Sequence, residues 1–301
     1  MFYNSSTMDA APQAPRKALV ACQLDDDPSS EWITRRDAIT RLAAVVGTAA
    51  LGEGLGEVSS MQVTRHRVPV RGLTAPIRAV QISDLHRSWC VSQQFVAQAV
   101  DMAMAQMPAL ILLTGDFVTR SSRYMPSCTQ ELSRLHAPLG IYAVLGNHDY
   151  VCDDHTGAPV IQRHLRDIGV PVLTNTSTRL QNGLWLVGAD DSREGWPDDV
   201  AAFEKVPANA PVIAMTHNPT YFRKMRDHAC LTITGHTHGR QINIPGLTQL
   251  IIHSGTPWIA GWYRSGLSPG RLYVCRGLGV IGIPLRINAP PEIAVFDLTP
   301  A

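Results

Sequence analysis

Ile77-Arg78-Ala79-Val80-Gln81-Ile82-Ser83-Asp84-Leu85-His86 is the stretch that decides how this chain reads. Its first six residues, apolar and rich in β-branched side chains, predict a strand over Ile77–Ile82. Directly after that strand stand an Asp and a His two positions apart. The same succession recurs down the chain. Leu110–Thr114 is a continuous apolar run, as expected of a strand covered on both faces, and Gly115-Asp116 follows it. A strand over 140–145 leads into Gly146-Asn147-His148-Asp149. Val212–Met215 leads into Thr216-His217-Asn218, and the strand Leu231–Thr234 into Gly235-His236-Thr237-His238.

Between these strands the spacing predicts helices over 92–106 (Phe95, Ala99, Met102 and Ala103 on one face), 129–136, 159–167 and 219–227. Further strands are expected over 184–187, 272–275 and 293–296. The alternation is that of an α/β domain, and the strand-rich last third predicts a second sheet. In open α/β sheets, ligands sit outside the carboxyl ends of the strands. Five strand ends here deliver Asp, Asn or His to that one edge. Any one of these motifs alone is common and reads as an ordinary polar residue; the ordered set does not.

The ordered set closely resembles the calcineurin-like metallophosphoesterase family over roughly residues 62–298. That resemblance implies a four-layer α/β/β/α sandwich of two mixed sheets, with metal ions at the strand ends. Carried over motif by motif, it implies that Asp84, His86 and His238 hold one ion and that Asn147, His217 and His236 hold the other, with Asp116 bridging both. It also implies a hydroxide shared by the two ions as nucleophile, and His148 as a catalytic acid facing the phosphate. Asp149 is either a partner that orients the His148 ring or a cap on the following loop. An imidazole, carboxylate and amide donor set without thiolate suits two divalent or mixed-valence transition ions, Mn, Fe, Zn or Co.

Within the family, Arg276-Gly277-Leu278-Gly279, Pro284-Leu285-Arg286 and Pro291-Glu292-Ile293 look like a bacterial subgroup of exported phosphodiesterases. Some members of that subgroup hydrolyse the pyrophosphate of UDP-diacylglucosamine. One departure is Gly239-Arg240-Gln241, where the subgroup has Gly-Gly-Gln. Arg240 either grips a substrate anion or points to solvent. The expected activity is hydrolysis of a phosphodiester or pyrophosphate, on a substrate linked to an envelope lipid or a nucleotide. A broad-specificity phosphomonoesterase and an inactive binding module on the same fold are the alternatives. The module is disfavoured because every ligand position carries a ligating residue type.

The 301 residues, 45% hydrophobic and 17% charged, are enough for a substantial core. A net charge of +1 gives no global field that would make nucleic acid an obligate partner. Six scattered cysteines without a CxxC pair exclude a zinc ribbon and a dense disulfide framework, and read as small buried hydrophobes. Residues 1–60 read as a polar tail followed by a signal or anchor, ahead of a catalytic domain over 61–301. Arg35-Arg36 before the mild apolar run 42–51 resembles a twin-arginine export signal, with Ala38 and Thr40 departing from the usual pattern. That reading implies the twin-arginine machinery as a partner and a periplasmic or envelope address, with anchoring or membrane-surface association open. The alternative is a disordered tail and a short amphipathic helix on a cytoplasmic protein. Trp258, Ile259, Trp262, Tyr263 and Leu267 form either a lip towards a lipid substrate or ordinary packing on the sheet.

Overall fold

Each buried strand alternates its side chains between two apolar layers, and that alternation builds the architecture. The computed structural model describes residues 60–244, 248, 255–264 and 270–301. The tail, the Arg35-Arg36 segment and Leu267 lie outside the described residues. Strands β1 (Gln62–Val70), β2 (Ile77–Ile82), β3 (Leu110–Thr114), β4 (Ile141–Val144) and β11 (Glu292–Pro300) form a five-stranded sheet in the order β1-β11-β2-β3-β4. Strands β5 (Thr176–Arg179), β6 (Trp185–Gly188), β7 (Val212–Met215), β8 (Leu231–Thr234), β9 (Gly261–Arg264) and β10 (Arg271–Val274) form a second sheet in the order β5-β6-β7-β8-β10-β9.

Both sheets are mixed. In the first, β2, β3 and β4 run parallel and β11 lies antiparallel to β2. In the second, β6, β7, β8 and β10 run parallel, with antiparallel edge strands β5 and β9. The parallel strands therefore end at a common edge in each sheet.

On β3, Leu110 and Leu112 enter a core shared with Leu186, Ile213 and Ile233 of the second sheet, while Ile111 and Leu113 face outward. The outward face is covered by α1 (Gln93–Met104), α2 (Met125–Leu132) and α4 (Gly157–Asp167), through Val96, Ala99, Val100, Leu132, Ile161 and Leu165. Fully burying each such aliphatic side chain contributes about 1.5–3 kcal/mol. The second sheet's outer face packs on Ala202 of the short helix α5 (Asp199–Phe203), and on Tyr221 and Met225 around the short helix α6 (Phe222–Met225). The result is four layers, α/β/β/α.

The elements expected from sequence are present, with local shifts. The helix read over 129–136 forms as Met125–Leu132, because Pro126 sits in the first turn, where its missing N–H is tolerated. The segment read as a helix over 219–227 is a 3-10 turn, Pro219–Tyr221, followed by the single turn of α6. The helix α3 (Asn147–His155) starts within Gly146-Asn147-His148-Asp149 and breaks at Cys152–Asp154, where the backbone leaves helical angles. Trp258 packs edge-on against Phe222, and Tyr263 packs on the same cluster, whereas Trp262 is half-exposed. The five described cysteines are unbonded, and Cys128, Cys152 and Cys275 are buried. No helix among the described residues is long and apolar enough to cross a membrane.

Candidate metal centre

The donors converge because both sheets bring the ends of their parallel strands to one seam. From the first sheet come Asp84 and His86 after β2, Asp116 after β3, and Asn147 at the start of α3 after β4. From the second come His217 after β7, and His236 and His238 after β8. Possible ligand atoms of Asp84, His86, Asp116 and His238 lie within 4.8 Å of one another. Those of Asp116, His217 and His236 form a second such group, sharing Asp116 with the first.

Asp116 stands between the two groups. Its Oδ2 lies 3.3 Å from His86 Nε2 and 3.1 Å from His217 Nε2, while its Oδ1 accepts from the His148 backbone N–H at 2.8 Å. Asp84 Oδ1 lies 3.4 Å from His238 Nε2, and its carboxylate accepts from the His236 backbone N–H and from the Ser83 hydroxyl. His86 and His238 face each other with Nε2 atoms 3.0 Å apart, and His236 Nδ1 lies 3.3 Å from His217 Nε2. The far ring nitrogens are held in turn. His217 Nδ1–H donates to the Thr114 carbonyl at 2.7 Å, which turns Nε2 toward Asp116. His86 Nδ1 meets Thr119 Oγ1 at 2.7 Å.

Two buried oxygens at this seam, Asp116 Oδ2 and Asn147 Oδ1, have no hydrogen-bond donor. Leaving a buried acceptor unsatisfied costs about 1–3 kcal/mol, and a cation between the two groups would satisfy Asp116 Oδ2. The donor chemistry and the orphaned acceptors therefore fit a pair of transition ions sharing Asp116.

The backbone is bent to present these groups. Asp84, His86, Asp116, His236 and His238 all adopt positive φ, between 49° and 73°. Left-handed conformations at non-glycine residues cost of order 1–3 kcal/mol each and cluster at functional sites. Close approach also dictates two glycines. A Cβ on Gly146 would lie 2.2 Å from Asp116 Oδ1, and one on Gly235 would lie 2.2 Å from Asp84 Oδ2.

Asp149 acts as a cap, but of its own helix start and the loop after β3 rather than of the following loop. Its buried carboxylate accepts from the backbone N–H groups of Gly146, Asp116 and Phe117, tying the loop after β3 to the first turn of α3. Burial and the nearby Asp116 charge push it up to about 8. For Asp116, burial acts upward, but His217 and His148 beside it hold the carboxyl well below its usual range. For His217, burial acts downward, yet Asp116 holds the imidazole well above its usual range. Burial lowers His148 to about 4 and His236 to about 3, so both rings are neutral near pH 7. The His148 ring stands edge-on to His86 with centroids 4.9 Å apart, half-buried at the rim of the cluster.

The Arg240 guanidinium forms no ion pair among the described residues, and its buried Nε lacks a partner. Arg193, paired with Glu194 at 3.8 Å, adds a smaller lowering to His148 and His236, behind burial and the charges of the neighbouring histidines. Arg193 lies in the loop after β6, whose strand end reads Gly188-Ala189-Asp190-Asp191. Asp191 caps the Arg193 and Glu194 N–H groups, and Asp190 caps that of Trp196. This sixth strand end obeys the same rule as the other five, and its acidic pair is the signal that would have pointed to it. Arg286 was visible only as part of a family motif. It is fully buried and donates to the carbonyls of Gly279, Gly277, Arg276 and Ala289, stapling the loop that packs on Asp84.

A family profile described as calcineurin-like phosphoesterase matches residues 77–240. The chain is 30% identical over 271 residues to the phosphodiesterase YaeI of Escherichia coli, covering 85% of this chain and 97% of that protein. It is 28% identical over 273 residues to the UDP-2,3-diacylglucosamine pyrophosphatase LpxG of Chlamydia trachomatis, covering 73% of this chain and 83% of the relative. An uncharacterized metallophosphoesterase of Aquifex aeolicus is 29% identical over 230 residues, covering 74% of this chain and 85% of the relative.

The staple gives a direct expectation. Arg286→Lys should lower unfolding free energy by about 2–4 kcal/mol, because one ammonium cannot span carbonyls that a guanidinium fork reaches together. Urea unfolding measures it, and a change under 0.5 kcal/mol would remove Arg286 from the account of the seam.

Proposed function

Because the chain belongs to the calcineurin-like phosphoesterase family, and so is a hydrolase of phosphate esters, we propose that it cleaves a phosphodiester or pyrophosphate bond at the Asp116 seam. The single observation that carries the location is the pair of donor groups sharing Asp116. In this reading Asp84, His86 and His238 hold one ion, Asn147, His217 and His236 the other, and Asp116 both. When bound, such a pair supplies Lewis acidity and a water acidic enough to attack near neutral pH.

The chain's own groups do the rest. The His148 N–H fixes Asp116 Oδ1, so the helix that presents the His148 ring also sets the bridging carboxylate. The ring is neutral near pH 7 when no ligand is bound; the negative charge of a phosphodiester beside it favours the protonated form, which can give its proton to the leaving oxygen. Arg193, rather than Arg240, is assigned to the charge of the substrate. The pyrophosphatase and phosphodiesterase relatives support a diester-type substrate, and LpxG supports a lipid-linked one. Mn, Fe, Zn and Co all suit the donors. We further propose that Arg35-Arg36 directs export through the twin-arginine machinery, with residues 61–301 as the exported catalytic domain.

With Mn²⁺ added, a bis-aryl phosphodiester should turn over faster than an aryl phosphomonoester. His148→Ala should cut kcat by 10²- to 10⁴-fold while elemental analysis still finds two ions per chain. Loss of the metals instead would make His148 a ligand, and faster monoester turnover would overturn the diesterase reading. Arg193→Ala should raise KM for an anionic substrate several-fold and Arg240→Ala should leave it within twofold; the reverse ordering would restore the assignment to Arg240. Fractionation of cells expressing the full chain should find it beyond the inner membrane, and Arg35→Lys with Arg36→Lys should retain it inside. Unchanged export by the double variant would end the twin-arginine reading.

A further inference from the structure

The two sheets leave neighbouring edge strands on one flank, β1 of the first and β9 of the second, and a groove of about 560 Å³ opens there. Arg65, Arg67, Arg264 and Arg271 line it together with His66 and Trp262. It shares no residue with either donor group of the metal centre. None of the four arginines forms an ion pair among the described residues. Asp297, the register partner of Arg67, is already taken by Arg78 at 2.8 Å.

Two of these cations are placed where they repel. Arg264 and Arg271 are direct cross-strand partners on the antiparallel pair β9–β10, so their side chains leave the same face side by side. Like charges in that position are destabilising. Burial, with the Arg264 charge behind it, pushes the Arg271 guanidinium down. An anion between them would turn that repulsion into attraction.

The aromatic wall is fixed in advance. Trp262 Nε1–H donates to His66 Nδ1 at 3.2 Å, and the ring stands edge-on to Tyr273 and Phe296. His66 Nε2 lies 2.9 Å from the Tyr273 hydroxyl, which donates to the buried Glu292 carboxylate at 2.5 Å. Trp262 therefore stays 39% exposed without being free to turn. A held aromatic face beside a fork of guanidinia matches a ligand that combines phosphate with an apolar or planar group.

We propose that this edge groove is a second anion site, which takes a small ligand carrying at least two phosphate-type negative charges. Its volume falls in the ordinary range for small-molecule sites. The competing use of the same residues is to blunt two open sheet edges, which charged side chains do without binding anything.

The test is a titration of the metal-loaded full-length protein with methylenediphosphonate, a bisphosphonate that cannot be hydrolysed. Arg264→Ser with Arg271→Ser should bind one fewer molecule per chain than the wild type. It should keep kcat/KM for an aryl phosphodiester within twofold, and its unfolding midpoint should not fall. The lost binding event should weaken as salt rises. Should the double variant misfold, Arg67→Ser on the exposed face of β1 should lower the affinity of the same event at least threefold. Equal stoichiometry and affinity in wild type and variants would overturn the site and leave the arginines as edge protection. Binding to phosphatidylglycerol vesicles that the double variant loses, with no difference in bisphosphonate binding, would also overturn it, in favour of a membrane surface. The count compares bound molecules rather than turnover, so it is decided separately from the hydrolytic reading.

Discussion

Asp116 is buried between an imidazole from each sheet, and the rest of the centre is arranged around that contact. A carboxylate with one oxygen bonded to a backbone N–H and the other left facing His86 and His217 is costly unless something compensates it. The surroundings hold it there. Asp149 gathers three backbone N–H groups behind it, His217 reaches back to the Thr114 carbonyl, and the His236 N–H closes on Asp84. Apart from the Gly146–Asp149 bond, these bonds join segments that are far apart in the chain. Beneath them Gln81 crosses from the first sheet to the Thr234 carbonyl of the second at 3.0 Å, so the floor of the centre is itself an inter-sheet tie.

Most of the centre was legible because its logic is local: a buried strand ends, and a Gly with an Asp, Asn or His turns the chain. The strands over Ile77–Ile82, Leu110–Thr114, Val212–Met215 and Leu231–Thr234 appear where the apolar runs stand. What escaped were the edges. β1 carries Arg65, His66, Arg67 and Pro69 because an edge strand tolerates charge and proline, so it has no apolar run to read. β5 and β9 are four residues each, half-exposed, and their signal is equally weak.

Arg193 escaped for a different reason. It sits in the loop after β6 that Asp190 and Asp191 cap, where the legible signal is that acidic pair and not the arginine itself. Asp149 had two readings of equal merit, and only the positions of three amide hydrogens separate them. Five of the seven donor residues, Asp84, His86, Asp116, His236 and His238, sit on left-handed backbone, which Asp and His tolerate better than most residues. That preference also helps to explain why these residue types stand at these turns.

The order of strands in the first sheet carries a consequence for how the protein comes into being. β11, the last of the described strands, lies between β1 and β2, the first two described, pairing Gln62 with Glu292 and Gln81 with Ala294. During synthesis β2 is complete long before the strand that will flank it leaves the ribosome. The donor-bearing end of β2 thus has one unpaired side until β11, far downstream, is available. Contacts of such sequence separation form slowly, and the open strands are exposed to wrong partners in the interval. A nascent chain truncated before β11 would carry all seven donor residues and still lack the strand that holds two of them in register.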